Sequence, residues 1–368
     1  MRNGNSVYVI TGYDESKNIQ VNPQHYVFLL KTLKAPIIKS FLFAGAAFRK
    51  LSKIQGSLHV DVTHANLPLV PNFAVPKGFG KTLISTVHST WKGEAEAIKS
   101  EPYTRLNSNE KFMVSFNWFL RIFEENMINR SNKIIAVSDF TKRELLQYYN
   151  VKEDKIRVIH NGVDINKFKP VANKEKAKEE LGFKKNDINI LSVGRLYARK
   201  GLFTLIDAIP YVVHKFKNAR FIISGKGQSN EKRKLLNHAA KLGVKEKIVF
   251  TGYFPDKKLP RLYQAADVFA FSTFYENLPF AVLEALSSAL PVVTTNVGGI
   301  PEMIESGRNG FLVKPANSND LAIKIVYCLE HPAEASEIAF LARKTIMARF
   351  DWRLIVKKVL DVYDEALG

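Results

Sequence analysis

Short apolar runs alternate with amphipathic stretches along most of the chain. In the second half, Ile188–Gly194, Ala219–Gly227, Lys247–Tyr253, Asp267–Thr273 and Pro291–Gly299 each contain a continuous apolar run ending in turn residues. Helical periodicity fills most gaps between them, as in Leu202–Phe216 and Glu231–Leu242. Unbroken apolar strands alternating with helices predict a parallel sheet covered on both faces. The first half shows the same alternation at Ser6–Thr11, Val60–Asn66, Thr82–His88 and Asn132–Ser138. The pattern predicts an α/β protein of two doubly wound domains. The joint falls near Val158–Pro170, where an Asn-Gly turn and a proline precede a charged helix. The expected units are 1–165, 166–350 and a closing helix, 351–368, and 368 residues exceed what one core usually supports.

Composition narrows the class. Hydrophobic residues make up 46% and charged residues 24%, the balance of a folded globular protein. The one cysteine, Cys328, excludes an internal disulfide and a cysteine-based metal site. With no apolar run long enough to span a bilayer and no signal peptide at the start, a cytoplasmic location is expected. The net charge is +19, spread over both halves. From Ser16 to Val60 there are seven basic residues and no acidic one. Residues 37–54 predict a basic amphipathic helix with Phe41, Phe48 and Leu51 on its apolar side. Such a helix suits either core packing or an anionic membrane surface, which would make the protein peripheral on the cytoplasmic face. No nucleic-acid-binding signature accompanies the charge.

Ligands of doubly wound sheets bind beyond the carboxyl ends of the strands. Five consecutive strands of the second half end in candidate residues there: Arg195 and Lys200; Gly225, Lys226 and Gly227; Gly252 and Tyr253; Glu276; Gly298 and Gly299. The stretch TFYENLPFAVLEAL places Glu276 just before a helix, with Pro279 expected in its first turn and Glu284 more than a turn further on. A rise of about 1.5 Å per helical residue puts the carboxylates on the order of 10 Å apart. That is wide for a glycosidase pair and suits two ends of one long ligand, such as the hexose and ribose of a nucleotide sugar. Carboxylates accept paired hydroxyls, and Arg195 and Lys200 supply charge for a diphosphate between them.

These residues, with the stretches DVTHAN, TLISTVHST, NKIIAVSDFTKREL, KIRVIHNGVDINKF, LSVGRLYARKGL, ENLPFAVLEALSSALPVVTTNVGGIPE and NGFLVKP, resemble the retaining glycosyltransferases of family 4 over nearly the whole chain. The resemblance implies the GT-B fold, two Rossmann-like domains facing across a cleft, with residues from Arg349 onward crossing back to the first domain. It implies that Glu276 contacts the donor sugar and Glu284 holds the ribose. Asn277, Leu278 and Pro279 would meet sugar and phosphate, although Pro279 lacks an N–H. Arg195 and Lys200 would bind the diphosphate, Tyr253 and Phe254 would lie near the base, and His88 would face the donor sugar. The implied reaction is a hexosyl transfer from a nucleotide-diphosphate sugar to a glycan or lipid-linked acceptor, by front-face displacement with retention. Neither a cofactor nor a metal is expected, since no Asp-x-Asp motif occurs.

One departure is expected to matter. The segment opening MRNGNSVYVIT matches the family after its first strand, Gly-rich loop and helix, so one βα unit is missing by this reading. Ser6–Thr11 should then either lie beside the Val60–Asn66 strand or leave unpaired backbone there, with weakened transfer. Two other functions share the architecture: a non-catalytic nucleotide-sugar binder, and a nucleotide-sugar epimerase, which would need further acid–base groups in the first domain.

Overall fold

The computed structural model describes residues 6–13, 17–22, 25–31, 36–68, 72–99, 101–227 and 229–368. The strands are β1 (Val7–Tyr13), β2 (Lys17–Asn22), β3 (His25–Lys31), β4 (Val62–Leu67), β5 (Thr82–Val87), β6 (Lys133–Ala136) and β7 (Ile156–Val158) in the N-terminal half. The C-terminal half adds β8 (Ile188–Val193), β9 (Ala219–Ser224), β10 (Ile248–Gly252), β11 (Val268–Phe271), β12 (Val292–Thr295) and β13 (Phe311–Val313). Helices α1 (Pro36–Ile54), α2 (Trp91–Ile98), α3 (Ser108–Ser115), α4 (Asn117–Arg130) and α5 (Asp139–Tyr148) belong to the first half. The second contains α6 (Lys174–Glu180), α7 (Leu202–Lys215), α8 (Ser229–Lys241), α9 (Leu259–Gln264), α10 (Phe280–Ser287), α11 (Ser318–Glu330) and α12 (Pro332–Arg349), followed by α13 (Trp352–Leu367).

The six C-terminal strands form one parallel sheet in the order β10-β9-β8-β11-β12-β13. Its two faces can be read directly from strand alternation. Ile190, Phe221, Ile223, Val268 and Ala270 pack against α7, α8 and α11. Their neighbours Leu191, Ile222, Phe269 and Phe271 pack against α9, α10 and α12. Successive side chains point to opposite faces, so a strand covered on both sides must be apolar throughout. The order reverses between β8 and β11, the place where doubly wound sheets open a crevice.

In the N-terminal half, β4-β5-β6-β7 form a parallel four-stranded sheet. Leu83, Val87, Ile134 and Ala136 meet α4 and α5 on one face. Ile84, Ile135 and Ile159 meet Ile355 and Val362 of α13 on the other. The chain crosses between the halves at two adjacent points, where Val163 N–H donates to Phe350 O at 2.9 Å and Trp352 N–H to Val163 O at 3.1 Å.

Ser6–Thr11 does not extend this sheet. Its strand, β1, pairs in parallel with β3, and β2 joins β3 antiparallel, giving a separate three-stranded sheet. Among the described residues, the other edge of β4 carries no strand. The apolar side of α1 also differs from expectation. Among the described side chains of α1, Ala44, Ala47 and Leu51 are buried, a stripe of helical spacing, while Phe48 is turned outward.

Candidate functional site

A cavity of about 700 Å³ lies between the two halves, at the carboxyl ends of β5, β8 and β11. From the C-terminal half, Arg195, Lys200, Glu276, Asn277, Leu278, Pro279 and Glu284 line it; from the N-terminal half, His88, Asn66, Trp91 and Glu94 do. Thus His88, both basic residues and both glutamates singled out in the sequence share one wall-to-wall space.

The loop between β11 and α10 carries most of this chemistry and is fixed from several sides. Thr295 Oγ1 donates to Thr273 O at 2.5 Å, and Gly299 N–H donates to Glu276 O at 3.0 Å. Asn277 Nδ2 reaches Thr141 Oγ1 at 2.7 Å and Glu144 at 3.0 Å, and Asn161 Nδ2 donates to Leu278 O at 2.8 Å. Among the described residues, no protein acceptor meets the N–H groups of Asn277 and Leu278. Pro279 stands at the N-cap of α10, with φ −73° and ψ 125°, one position earlier than the first-turn place expected for it. The free N–H groups of the following turn sit at the cavity, since Phe280 and Ala281 also line it.

Electrostatics divide the two glutamates. Glu276 is ion-paired with Lys200, and Arg199 Nη1 lies 3.8 Å from the same oxygen. Burial lowers the Lys200 pKa, and the Glu276 charge opposes that shift. Among the described residues, Glu284 has no cation in hydrogen-bond contact; its carboxylate accepts from Tyr263 OH at 2.7 Å. Burial pushes it up to about 7, with the Tyr263 bond pulling the other way. A carboxyl with that value changes charge near neutrality.

His88 Nε2 donates to Asn66 Oδ1 at 3.0 Å, and burial lowers its pKa, favouring the neutral ring. Behind it His64 bridges Thr86 Oγ1 and Tyr363 OH, each at 2.6 Å, with burial first and the His88 charge second bringing its pKa down to about 4.

Several groups in the cavity wall or just behind it, where Glu144 lies, were not among the residues singled out from sequence. Arg199 lies between Glu94, at 3.7 Å, and Glu276. Its neighbour Lys200 drew attention, and the adjacent pair of basic residues was the available signal. Glu144 accepts from Tyr275 OH at 2.8 Å and is raised to about 7, chiefly by burial. Buried Glu124 is raised to about 8 by desolvation. Glu124 stands between Phe123 and Glu125, and Glu144 between Arg143 and Leu145, so neither setting marks a buried carboxyl.

Other singled-out residues lie outside the cavity wall. Lys226 Nζ stands over the Tyr253 ring at 4.3 Å, and Phe254 packs into the C-terminal core. Gly225 and Gly227 press against Gly194 and Leu196, the strand end that presents Arg195. Gly298 and Gly299 back the Glu276 loop: a Cβ on either would stand 1.7 Å from a carbonyl oxygen, of Glu276 or Asn277 respectively. These positions demand glycine for close backbone approach. For metals, Asp139, His160 and Glu302 form the one cluster of three such side chains among the described residues. There both Glu302 oxygens already accept backbone N–H groups, of Asp139 and Phe140, at 2.9 Å.

Two family descriptions divide the chain: Glycosyltransferase Family 4 matches residues 1–167 and Glycosyl transferases group 1 matches residues 173–345. The chain belongs to the group 1, family 4 glycosyltransferases. An uncharacterized glycosyltransferase of Methanocaldococcus jannaschii is 29% identical, over 100% of this chain and 91% of its own length. The fold of this family 4 chain is GT-B. Sucrose-phosphate synthase of Thermosynechococcus elongatus superimposes with TM-score 0.79 at 20% identity, covering 97% of this chain and 88% of that one. A UDP-glucose complex of Anabaena HepE gives TM-score 0.69 at 22% identity, covering 92% and 86%. No helix among the described residues of the family 4 chain is long and apolar enough to cross a membrane.

Proposed function

We propose that this protein is a retaining hexosyltransferase that moves a sugar from a nucleotide-diphosphate sugar to a glycan or lipid-linked acceptor. The observation that carries the reading is the convergence of Glu276, Glu284, Arg195 and Lys200 with His88 on one cavity, beside unpartnered N–H groups of Asn277 and Leu278. Glu284 receives the ribose hydroxyls and Glu276 the hydroxyls of the donor sugar. Arg195, Lys200 and the two N–H groups hold the diphosphate, whose charge grows as it leaves. The bond from the anomeric carbon to the diphosphate oxygen breaks while the acceptor oxygen bonds on the same face. The acceptor proton passes to the departing phosphate oxygen, so configuration is retained without a protein nucleophile. No metal is assigned, because the cationic side chains supply the charge. The HepE complex with UDP-glucose supports this donor class by likeness of fold.

The functional units are 1–165, 166–350 and 351–368, with a peripheral place on the cytoplasmic face of the membrane through residues 37–54. Neutralising Arg49, Lys50 and Lys53 should release the protein from acidic vesicles; unaltered sedimentation refutes that placement. For the reaction itself, the protein is incubated with a panel of labelled nucleotide sugars and extracted acceptors, and products are separated. Transfer with retained anomeric configuration is expected. An epimerised donor points instead to an isomerase, and bound but unchanged donor to a binding protein.

A further inference from the structure

Helices α1 and α4 turn large apolar side chains to solvent. Trp118 is 67% exposed, Ile122 46% and Leu42 43%. Trp118 adjoins Phe119, which is itself exposed, and apolar surface shared between neighbouring side chains is uncommon unless something covers it.

This patch continues inward as a run of rings. The Trp118 and Phe119 centroids are 5.8 Å apart, and Phe119 lies 6.2 Å from Phe41 and 5.0 Å from Phe123. Phe41 and Phe123, in turn, meet edge-on at 5.3 Å, and both line the cavity that holds Glu276. Aromatic surface therefore leads without a break from solvent to the reacting space. Met113 and Leu120 extend it along the cavity wall. Nearby, α1 runs from Pro36 to Ile54 without an acidic residue and exposes Arg49.

We infer that the acceptor is an anionic amphiphile whose hydrocarbon chain lies along Trp118, Phe119, Phe41 and Phe123. Its accepting hydroxyl then reaches the cavity beside His88. This rests on the glycosyltransferase reading and names the acceptor class of the same site. A free glycan offers hydroxyls that these rings cannot satisfy, whereas a hydrocarbon chain removes ring surface from water. The basic side of α1 matches an anionic head group. A chain held singly in this way makes affinity depend on its length, which simple adsorption to a charged surface does not.

The probes are methyl, octyl and dodecyl phosphate below their micellar concentrations, with binding followed by calorimetry on the full chain. Affinity should rise at least about tenfold from methyl to octyl phosphate as methylenes leave water. Replacing two partly exposed side chains, Phe119→Ser with Ile122→Ser, should cut octyl phosphate affinity at least about fivefold by removing apolar contact. Phe119→Leu should keep most of it, and binding of nucleoside diphosphates should be unchanged in every variant. Affinity independent of chain length, or chain-length dependence that survives the double substitution, overturns the proposal. Failure of the unaltered protein to bind any of UDP, GDP or ADP overturns the glycosyltransferase reading instead, whatever the alkyl phosphates do.

Discussion

Glu302 caps a helix that belongs to the other half of the molecule: its carboxylate accepts the N–H of Phe140, the second residue of α5, at 2.9 Å. His160 Nε2 donates to the same carboxylate at 3.0 Å, and the Asp139 N–H completes the set. An anion at a helix N-terminus is favourable, so this contact ties α5 to the C-terminal half. Burial raises the Glu302 pKa, but the bonds from His160, Asp139 and Phe140 together lower it below the ordinary value. A lowered folded value means stability that is fully present above about 4.5, the usual glutamate range, and lost as pH falls through the folded value. Glu302→Gln should therefore cost about 1–2 kcal/mol at pH 7. The difference from the parent should shrink below that range. Denaturant melts at neutral and acid pH check this, and equal stability at pH 7 removes the cap from consideration.

Glu284, whose pKa is raised, couples ligand affinity and stability to pH in opposite directions. With its pKa raised to about 7, the ionised form that best accepts two ribose hydroxyls fills only as pH rises through neutrality. Nucleotide affinity should climb between pH 6 and pH 8, by at most about tenfold per unit below the pKa. Glu284→Gln should bind more weakly and with a flat profile over the same range. In the empty protein the raised value contributes stability below about 4.5 that is lost as pH climbs through the folded value. Calorimetric titrations at three pH values decide the matter; an unchanged slope in the variant rules Glu284 out as the titrating group.

Lys200 and Glu276 form a mostly buried pair, with side chains 13% and 11% exposed. Removing Lys200 leaves Glu276 with Arg199 as its one charged partner among the described residues, at 3.8 Å, in a poorly solvated place, so Lys200→Met should cost about 1–3 kcal/mol. Adding Glu276→Gln should restore a large part of that loss while abolishing transfer. Strict additivity in the double-variant cycle is the result that refutes the coupling.

Gly298 tests the loop itself. Its φ is +59°, and a Cβ would collide with the Glu276 carbonyl oxygen. Gly298→Ala should cost about 1–3 kcal/mol of stability, the usual range for a non-glycine residue held in such a conformation. It should also weaken nucleotide binding by displacing Glu276 and Asn277. A variant that melts lower yet binds nucleotide normally shows that the loop tolerates the shift.

The C-terminal sheet was legible because each of its inner strands is apolar on both faces, as Ile190 and Leu191 illustrate by packing into opposite cores. The cavity residues followed from strand ends, a rule of topology that needs no side-chain detail. What escaped depends on partners distant in sequence. Nothing local to Glu144 announces that Tyr275 and Asn277 will bury it, 131 and 133 residues away. The Ser6–Thr11 run was correctly expected to be a strand, observed as Val7–Tyr13, but such a run does not choose a partner, and β3 rather than β4 pairs with it. On α1, spacing put Phe48 on the apolar side with Leu51; Leu51 is buried, but Phe48 is exposed and Ala47 is buried in its place.

Helix α13 supplies the cover for one face of the first sheet, placing Ile355 and Val362 over Ile84, Ile135 and Ile159. As the chain leaves the ribosome, at about 5–20 residues per second, these isoleucines emerge long before their cover does. Synthesis of residues 160–351 takes on the order of 10–40 s at that rate, and through it the nascent sheet keeps one apolar side uncovered. The interval favours capture by a chaperone, and the domain begun first is the one completed last.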